Sequence, residues 1–275
     1  MSGADRVTLE LKAVQVRIPI GAGREVHALT DVDLLAIPGK PHFVVGGSGS
    51  GKSTLCSVVS GLLPSHARFA GTVSAAGFAV PELWRHRGRV VGVVPQSAMT
   101  CFTPVRRLGG QLAETVRYLG GERGPAELLD LVGLDPSALT KYPLELSGGM
   151  LQLAAIAAAL AGDPPVVVAD EPTSALDRGR SEDVVRLLAK LAADRVVLVA
   201  THDLAAVRSG APDADLSVMF ASRIVETGRA GDIFTAPRAD YTRDLLAALP
   251  ENGLHPLPHP VPDLIDLPAD YRYGG

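Results

Sequence analysis

Cysteine is scarce: two residues, Cys56 and Cys101, in 275. Two thiols cannot supply a four-cysteine zinc or iron–sulfur set, and they fit a reducing compartment. Cys56, just past a glycine-rich loop, reads as a buried structural thiol. No window reaches the ~18 consecutive apolar residues of a membrane-spanning helix, although 47% of the chain is apolar. The longest candidate, Leu151–Ala161, is short and broken by Gln152. No Lys/Arg cluster is long enough for a nucleic-acid track, and the net charge is −4. Met1–Glu10 has no apolar stretch behind a basic head, so no secretory signal is read. No internal repeat is evident.

What is present is punctuated by glycine and proline. Val7–Arg17 and His27–Ile37 read as strands separated by a turn at Gly21–Gly23, and His42–Gly46 as a short buried strand. Lys52–Gly61 follows as a helix, and Gly71–Phe78 and Val90–Val94 as further strands. Helices are expected at Arg107–Leu119, Ala126–Val132 and Ser147–Ala161. Then come strand Val166–Asp170, helix Gly179–Ala193, strand Val196–Thr201, a turn at Gly210–Pro212 and strand Asp215–Phe220. This is an α/β core, residues 1–249, with a helical insertion at about 97–162. From Pro250 onward six prolines argue for an extended tail, residues 250–275.

Three stretches carry chemistry. Gly46-Gly47-Ser48-Gly49-Ser50-Gly51-Lys52-Ser53 fits G-x-x-x-x-G-K-[ST], between a strand and a helix as that loop requires. Glycines let backbone N–H groups close on phosphates at the positive end of a helix. Lys52 is expected on the β- and γ-phosphates, Ser53 on Mg²⁺ and Thr54 on the α-phosphate. Asp170 closes the apolar run Val166–Ala169, at the strand edge where nucleotide sites lie, and is expected to hold Mg²⁺ through water. Glu171 beside it is the candidate general base for an attacking water. His202, at the end of Val196–Thr201, is a candidate γ-phosphate contact. Gln96, after Val90–Pro95, is on its own merits only a polar loop residue. The third stretch, Leu146-Ser147-Gly148-Gly149-Met150, offers a hydroxyl and crowded N–H groups at a helix start. It reads as a second phosphate-binding device.

In that order Gly46–Thr54, Gln96, Leu146–Met150, Val166–Glu171, Ser174–Asp177 and His202 resemble the Walker A, Q-loop, signature, Walker B, D-loop and H-loop of an ABC-transporter ATPase subunit. The resemblance implies a RecA-like P-loop NTPase core, an N-terminal antiparallel β-subdomain and an inserted helical subdomain. It implies a head-to-tail pair of ATPase domains, in which Ser147, Gly148 and Gly149 face the partner's γ-phosphate. Glu171, His202 and Gln96 become the catalytic set, and Ser53, Gln96 and Asp170 the Mg²⁺ set. Gln96 also couples to a transmembrane partner near Ser97–Val105. The implied cofactors are ATP and Mg²⁺. The implied partners are a second ATPase subunit, two permease chains and an extracytoplasmic binding protein, at the cytoplasmic face of a membrane.

Met150, Tyr142-Pro143, Phe102-Thr103-Pro104-Val105, Ile233–Pro237 and Tyr241–Leu246 resemble the oligopeptide, dipeptide and nickel importers. Val45–Gly49 and Gly148–Gln152 look most like the nickel type. The expected cargo is therefore a metal chelate or a peptide. A catalytically weak regulatory partner of an active ATPase, or a non-transport ABC ATPase, are the alternatives. The stretch Ser57–Glu145 is too short for the coiled coils of DNA-repair relatives.

The chain departs from the family pattern in several places. Ile18 stands where an adenine-stacking aromatic is usual, and Leu151 and Leu153 replace basic residues after the signature. Tyr271 stands where relatives place a first cluster cysteine, so no iron–sulfur cluster is expected. The proline-separated His255 and His259 read as solvated, not as metal ligands.

Overall fold

The structure, a computed structural model, describes residues 7–253, 255–268 and 270–274. The absence of a secretory signal was read partly on residues 1–6, which lie outside the described residues.

The chain opens with a long hairpin, β1 (Leu9–Gly21) and β2 (Arg24–Ala36), turned at Ala22 and Gly23 in left-handed conformations. β3 (His42–Val45) runs into the glycine loop, and α1 (Lys52–Ser60) leaves it. Gly61 ends α1 in a left-handed conformation, and its N–H returns to the carbonyls of Ser57 and Val58. β4 (Arg68–Ala75) and β5 (Phe78–Ala79) complete an antiparallel sheet in the order β2-β1-β4-β5. After α2 (Glu82–Arg85), β6 (Val91–Val94) enters a second sheet.

Three helices follow before the next strand: α3 (Leu108–Leu119), α4 (Pro125–Leu131) and α5 (Gly148–Ala159). Pro125 takes the first turn of α4, where its missing N–H costs nothing. The Glu127 carboxylate accepts from the Gly124 N–H at 2.6 Å. β7 (Val166–Asp170), α6 (Arg178–Leu191), β8 (Val196–Thr201), α7 (Leu204–Gly210) and β9 (Asp215–Phe220) then alternate. β10 (Arg223–Arg229) turns back on β9, and α8 (Ala230–Thr235) and α9 (Asp240–Ala247) follow. The second sheet has the order β10-β9-β3-β8-β7-β6, parallel from β9 to β6, with β10 antiparallel at its edge.

Parallel strands buried on both faces need apolar residues at every position, which is how β7 and β8 read. Their alternate residues feed two separate cores. Val166, Val168, Val196, Leu198 and Ala200 pack with Leu55, Val58 and Val59 of α1 and with Leu9, Leu11 and Leu29 of the antiparallel sheet. Val167, Ala169, Val197 and Val199 face Leu108, Leu128, Ile156 and Leu188 of the helical side. The architecture is the expected α/β P-loop NTPase type with an N-terminal antiparallel sheet.

The proline-rich segment is extended, yet it docks instead of standing free. Val26 and Ile265 form an antiparallel bridge, the His27 N–H donates to the Leu264 carbonyl at 2.9 Å, and the Asp266 N–H donates to the Glu25 carbonyl at 2.9 Å. Leu267 is buried, and Tyr271 and Tyr273 pack against Phe220. Strand β2 is the edge of its sheet, so this pairing covers an open row of backbone groups. His255 and His259 themselves are exposed. Cys56 is buried, as read from the sequence. No helix among the described residues is long and apolar enough to cross a membrane.

Candidate functional site

The glycine loop follows β3 and wraps toward the N-terminus of α1. Two of its glycines are required by space. A Cβ on Gly46 would lie 2.2 Å from the Met219 carbonyl oxygen. Gly51 sits at φ +109°, and a Cβ there would lie 2.8 Å from the Ala28 carbonyl oxygen. The loop is thus wedged between β9 and β2. A further brace is Tyr241, whose hydroxyl accepts from the Gly47 N–H at 3.0 Å while its ring is buried. Ser48 and Gly49 are exposed, and Ser50 is buried beneath them.

Lys52 is buried and donates to the carbonyls of Gly46 at 2.8 Å and Gly47 at 3.0 Å. Its Nζ also lies 3.7 Å from Glu171 Oε1. Burial lowers the Lys52 pKa, against the opposing pull of Glu171 and Asp170. Ser53 donates to Asp170 Oδ1 at 3.0 Å, and burial raises the Asp170 pKa more than that bond lowers it. A hydroxyl beside a carboxylate is a hard-oxygen pair that suits Mg²⁺, which takes one or two protein oxygens plus waters and phosphate. Among the described residues no cluster of three or more His, Cys, Asp or Glu forms a cage of its own.

Strand register explains how Glu171 and His202 meet. Asp170 pairs with Ala200 across β7 and β8, so the residues after each strand emerge side by side. Glu171 is buried at φ 48°, a left-handed conformation that costs a non-glycine residue roughly 1–3 kcal/mol. Its N–H donates to the Ala200 carbonyl at 2.8 Å, which holds the turn. Its Oε2 accepts from the His202 N–H at 3.1 Å and meets His202 Nδ1 at 2.7 Å. The His202 side chain is 62% exposed, so its ring reaches solvent while the carboxylate stays covered. Thr201, below them, accepts from the Asp203 N–H at 3.0 Å.

Gln96 is exposed, two residues beyond β6, whose last residue Val94 pairs with Ala169. It therefore sits at the same sheet edge as Asp170. The Ser147–Gly149 group is elsewhere. Ser147 caps α5, its Oγ accepting from the Met150 N–H at 3.3 Å. Ser147 and Gly149 line a separate cleft with Met150, Leu153, Leu176 and Arg180. No hydrogen bond or ion pair among the described residues joins this group to the glycine loop. Asp177 caps α6 through the Arg180 N–H at 3.1 Å.

Gly49 to Thr54 line one open cleft of about 260 Å³ together with Ile18, Val26, Ala28 and Leu264. The sequence reading named Ile18 but neither Tyr241 nor Leu264 as part of this region. Tyr241 could have been sought as a hydroxyl-bearing aromatic at an otherwise apolar helix position. Nothing local marked Leu264.

A family model described as "ABC transporter" matches residues 29–174. A Brucella ovis protein designated a peptide import ATP-binding protein is 38% identical over 90% of this chain and 82% of its own length. The oligopeptide transport ATP-binding protein OppD of Bacillus subtilis is 33% identical over 96% of this chain and 80% of its own. Among solved structures, a dimeric post-hydrolysis state of an ATP-binding cassette bound to ADP and Pi superposes with a TM-score of 0.68 at 27% identity. That match covers 81% of this chain and 98% of the other.

Proposed function

The chain belongs to the ABC transporter family as an ATP-binding subunit, and from that membership we propose that it is the ATP-hydrolysing motor of a peptide importer. The observation that carries the hydrolytic reading is Glu171, a covered carboxylate pinned by two His202 nitrogens beside Lys52. In this reading the N–H groups of Gly49–Thr54 and the Lys52 ammonium hold the β- and γ-phosphates. Ser53 and Asp170 would hold Mg²⁺, with Gln96 available at the same sheet edge. Bound there, the cation would offset negative charge on the phosphates. Glu171 takes the proton of the attacking water as the P–O bond to ADP breaks. His202 keeps Nδ1 on Glu171 and has its other ring nitrogen available to the γ-phosphate.

The separation of Ser147–Gly149 from the glycine loop supports a composite site: each ATP contacts the loop of one ATPase subunit and the Ser-Gly-Gly of a second, identical or homologous. The relative solved with ADP and Pi is itself dimeric. Met99 and Val105 are large exposed apolar residues in the stretch after Gln96, which favours seating of two permease chains there. In this reading the chain works at the inner face of a membrane, served by an extracytoplasmic binding protein. The names of the relatives favour di- or oligopeptide cargo over a nickel chelate. The helical segment of about 97–162 is proposed as a subdomain of the ATPase unit.

The test is steady-state ATPase by the purified complex carrying Glu171→Gln. A general base supplies about 10²–10⁴-fold, so turnover falls by that factor while ATP still binds. Unchanged turnover would place hydrolysis on the partner subunit.

A further inference from the structure

We propose that the docked C-terminal segment is part of the nucleotide site, with Leu264 forming an apolar wall of the nucleobase pocket. The proposal rests on the reading of this cleft as the ATP site. Geometry fixes where a base would lie. The glycine loop touches β2 at Ala28 and Leu29, close to Gly51. Val26, two residues before Ala28 on β2, lines the same cleft, and Ile18 sits directly opposite Val26 in the hairpin. Phosphates on the loop therefore leave the rest of a nucleotide extending toward Ile18 and Val26.

At that end the segment arrives. Its backbone pairs with Glu25, Val26 and His27, and Leu264 lines the same cleft as Ser53 and Thr54. Asp266 fixes the register: its Oδ1 accepts from the Glu25 N–H at 3.0 Å, and Oδ2 lies 3.4 Å from Arg24 Nε. The cleft stays open with Leu264 in place, so this residue borders the space without filling it.

Ile18, Val26, Ala28 and Leu264 together offer apolar surface and no hydrogen-bonding side chain. Such a pocket grips the faces of a purine by contact and area, and does not read its edge. An adenine ring laid against Ile18 alone would leave its other surface in water. Leu264 supplies the missing contact from a part of the chain far away in sequence.

The experiment compares Mg²⁺-dependent binding of ATP and of inorganic tripolyphosphate to the full chain and two variants. Leu264→Ala keeps the backbone pairing and removes the contact; Leu264→Phe keeps an apolar wall. Losing one partly covered leucine contact weakens ATP about 5- to 30-fold. Tripolyphosphate, which has no base, binds Leu264→Ala and wild type alike, and Leu264→Phe holds ATP within about threefold of wild type or tighter. Three results overturn the proposal: ATP affinity unchanged in Leu264→Ala, ATP bound more tightly by it (a competing plug), or tripolyphosphate weakened equally. If the unaltered chain binds neither probe, the nucleotide reading of the cleft falls, and this one with it. If both probes bind all three proteins alike, only the wall is refuted.

Discussion

Replacing Tyr241 with phenylalanine tests whether a side chain from α9 holds the phosphate-binding loop in shape. The ring is buried against Phe220, with centroids 4.4 Å apart, and phenylalanine keeps that packing. What is lost is one acceptor, 3.0 Å from the Gly47 N–H. A buried donor left without its partner costs about 1–3 kcal/mol. Gly47 is only partly buried, so water can replace some of the bond and the lower end applies, about 1 kcal/mol. For a chain of this size that is a fall in Tm of about 2 °C. Tyr241→Ala adds a cavity and costs about 3–5 kcal/mol. Burial pushes the Tyr241 phenol above its ordinary value, so the hydroxyl stays neutral and the loss is flat between about pH 6 and 9. Urea denaturation of wild type and both variants measures each quantity. A phenylalanine variant as stable as wild type would refute the brace. One as unstable as the alanine variant would show that the ring was not conserved in place.

Two further outcomes follow from burial. Asp170 carries a raised pKa because its carboxylate is desolvated, so the ionised form is penalised in the folded chain at neutral pH. Asp170→Asn should therefore stabilise the nucleotide-free protein at pH 7, with the gain vanishing below the ordinary carboxylate value of ~3.9, where wild type is neutral too; it should also lose Mg²⁺-dependent ATP binding. A melt series over pH checks the sign, and a gain that persists at pH about 2.5 would count against ionisation as its cause. For the thiols, Cys56 is raised well above its ordinary value by burial, and Cys101 is raised to about 11. Native protein at pH 8 should react slowly with a thiol reagent at Cys101 and not at Cys56, whereas denatured protein reacts at both. Fast labelling of Cys56 would mean that α1 opens on the labelling timescale.

Legibility tracked sequence distance. The loop Gly46–Ser53 was readable because the strand, the glycines and the helix start are neighbours along the chain. Glu171 and His202 were readable one step less directly: each ends an apolar strand, and adjacent parallel strands bring such ends together. The sheet edge β10 went unread because Arg223–Arg229 mixes charged, apolar and glycine residues without a clean alternation. Helix α7 was hidden by the turn signal at Gly210–Pro212, although Asp203 caps it through the Ala206 N–H at 2.9 Å. Tyr241 reaches Gly47 across 194 residues of sequence, and no local pattern encodes such a meeting. The proline count argued for an extended last segment, which begins with a short 3-10 turn at Pro250–Asn252. It was silent on docking, because that depends on an open strand edge elsewhere.

That edge has a practical bearing on any shortened form of this protein. Leu264 and Asp266 satisfy backbone groups of Glu25 and His27, and Ser222 does the same at Thr30, so β2 meets solvent along less of its length than its place at the margin of the sheet implies. Cutting the chain before residue 255 would strip one of these covers and leave a ready template for strand addition between molecules. Such a fragment should self-associate even if its phosphate loop is intact. Point variants are therefore the cleaner instrument, and clumping of a truncated chain would report a sticky seam, not a lost activity.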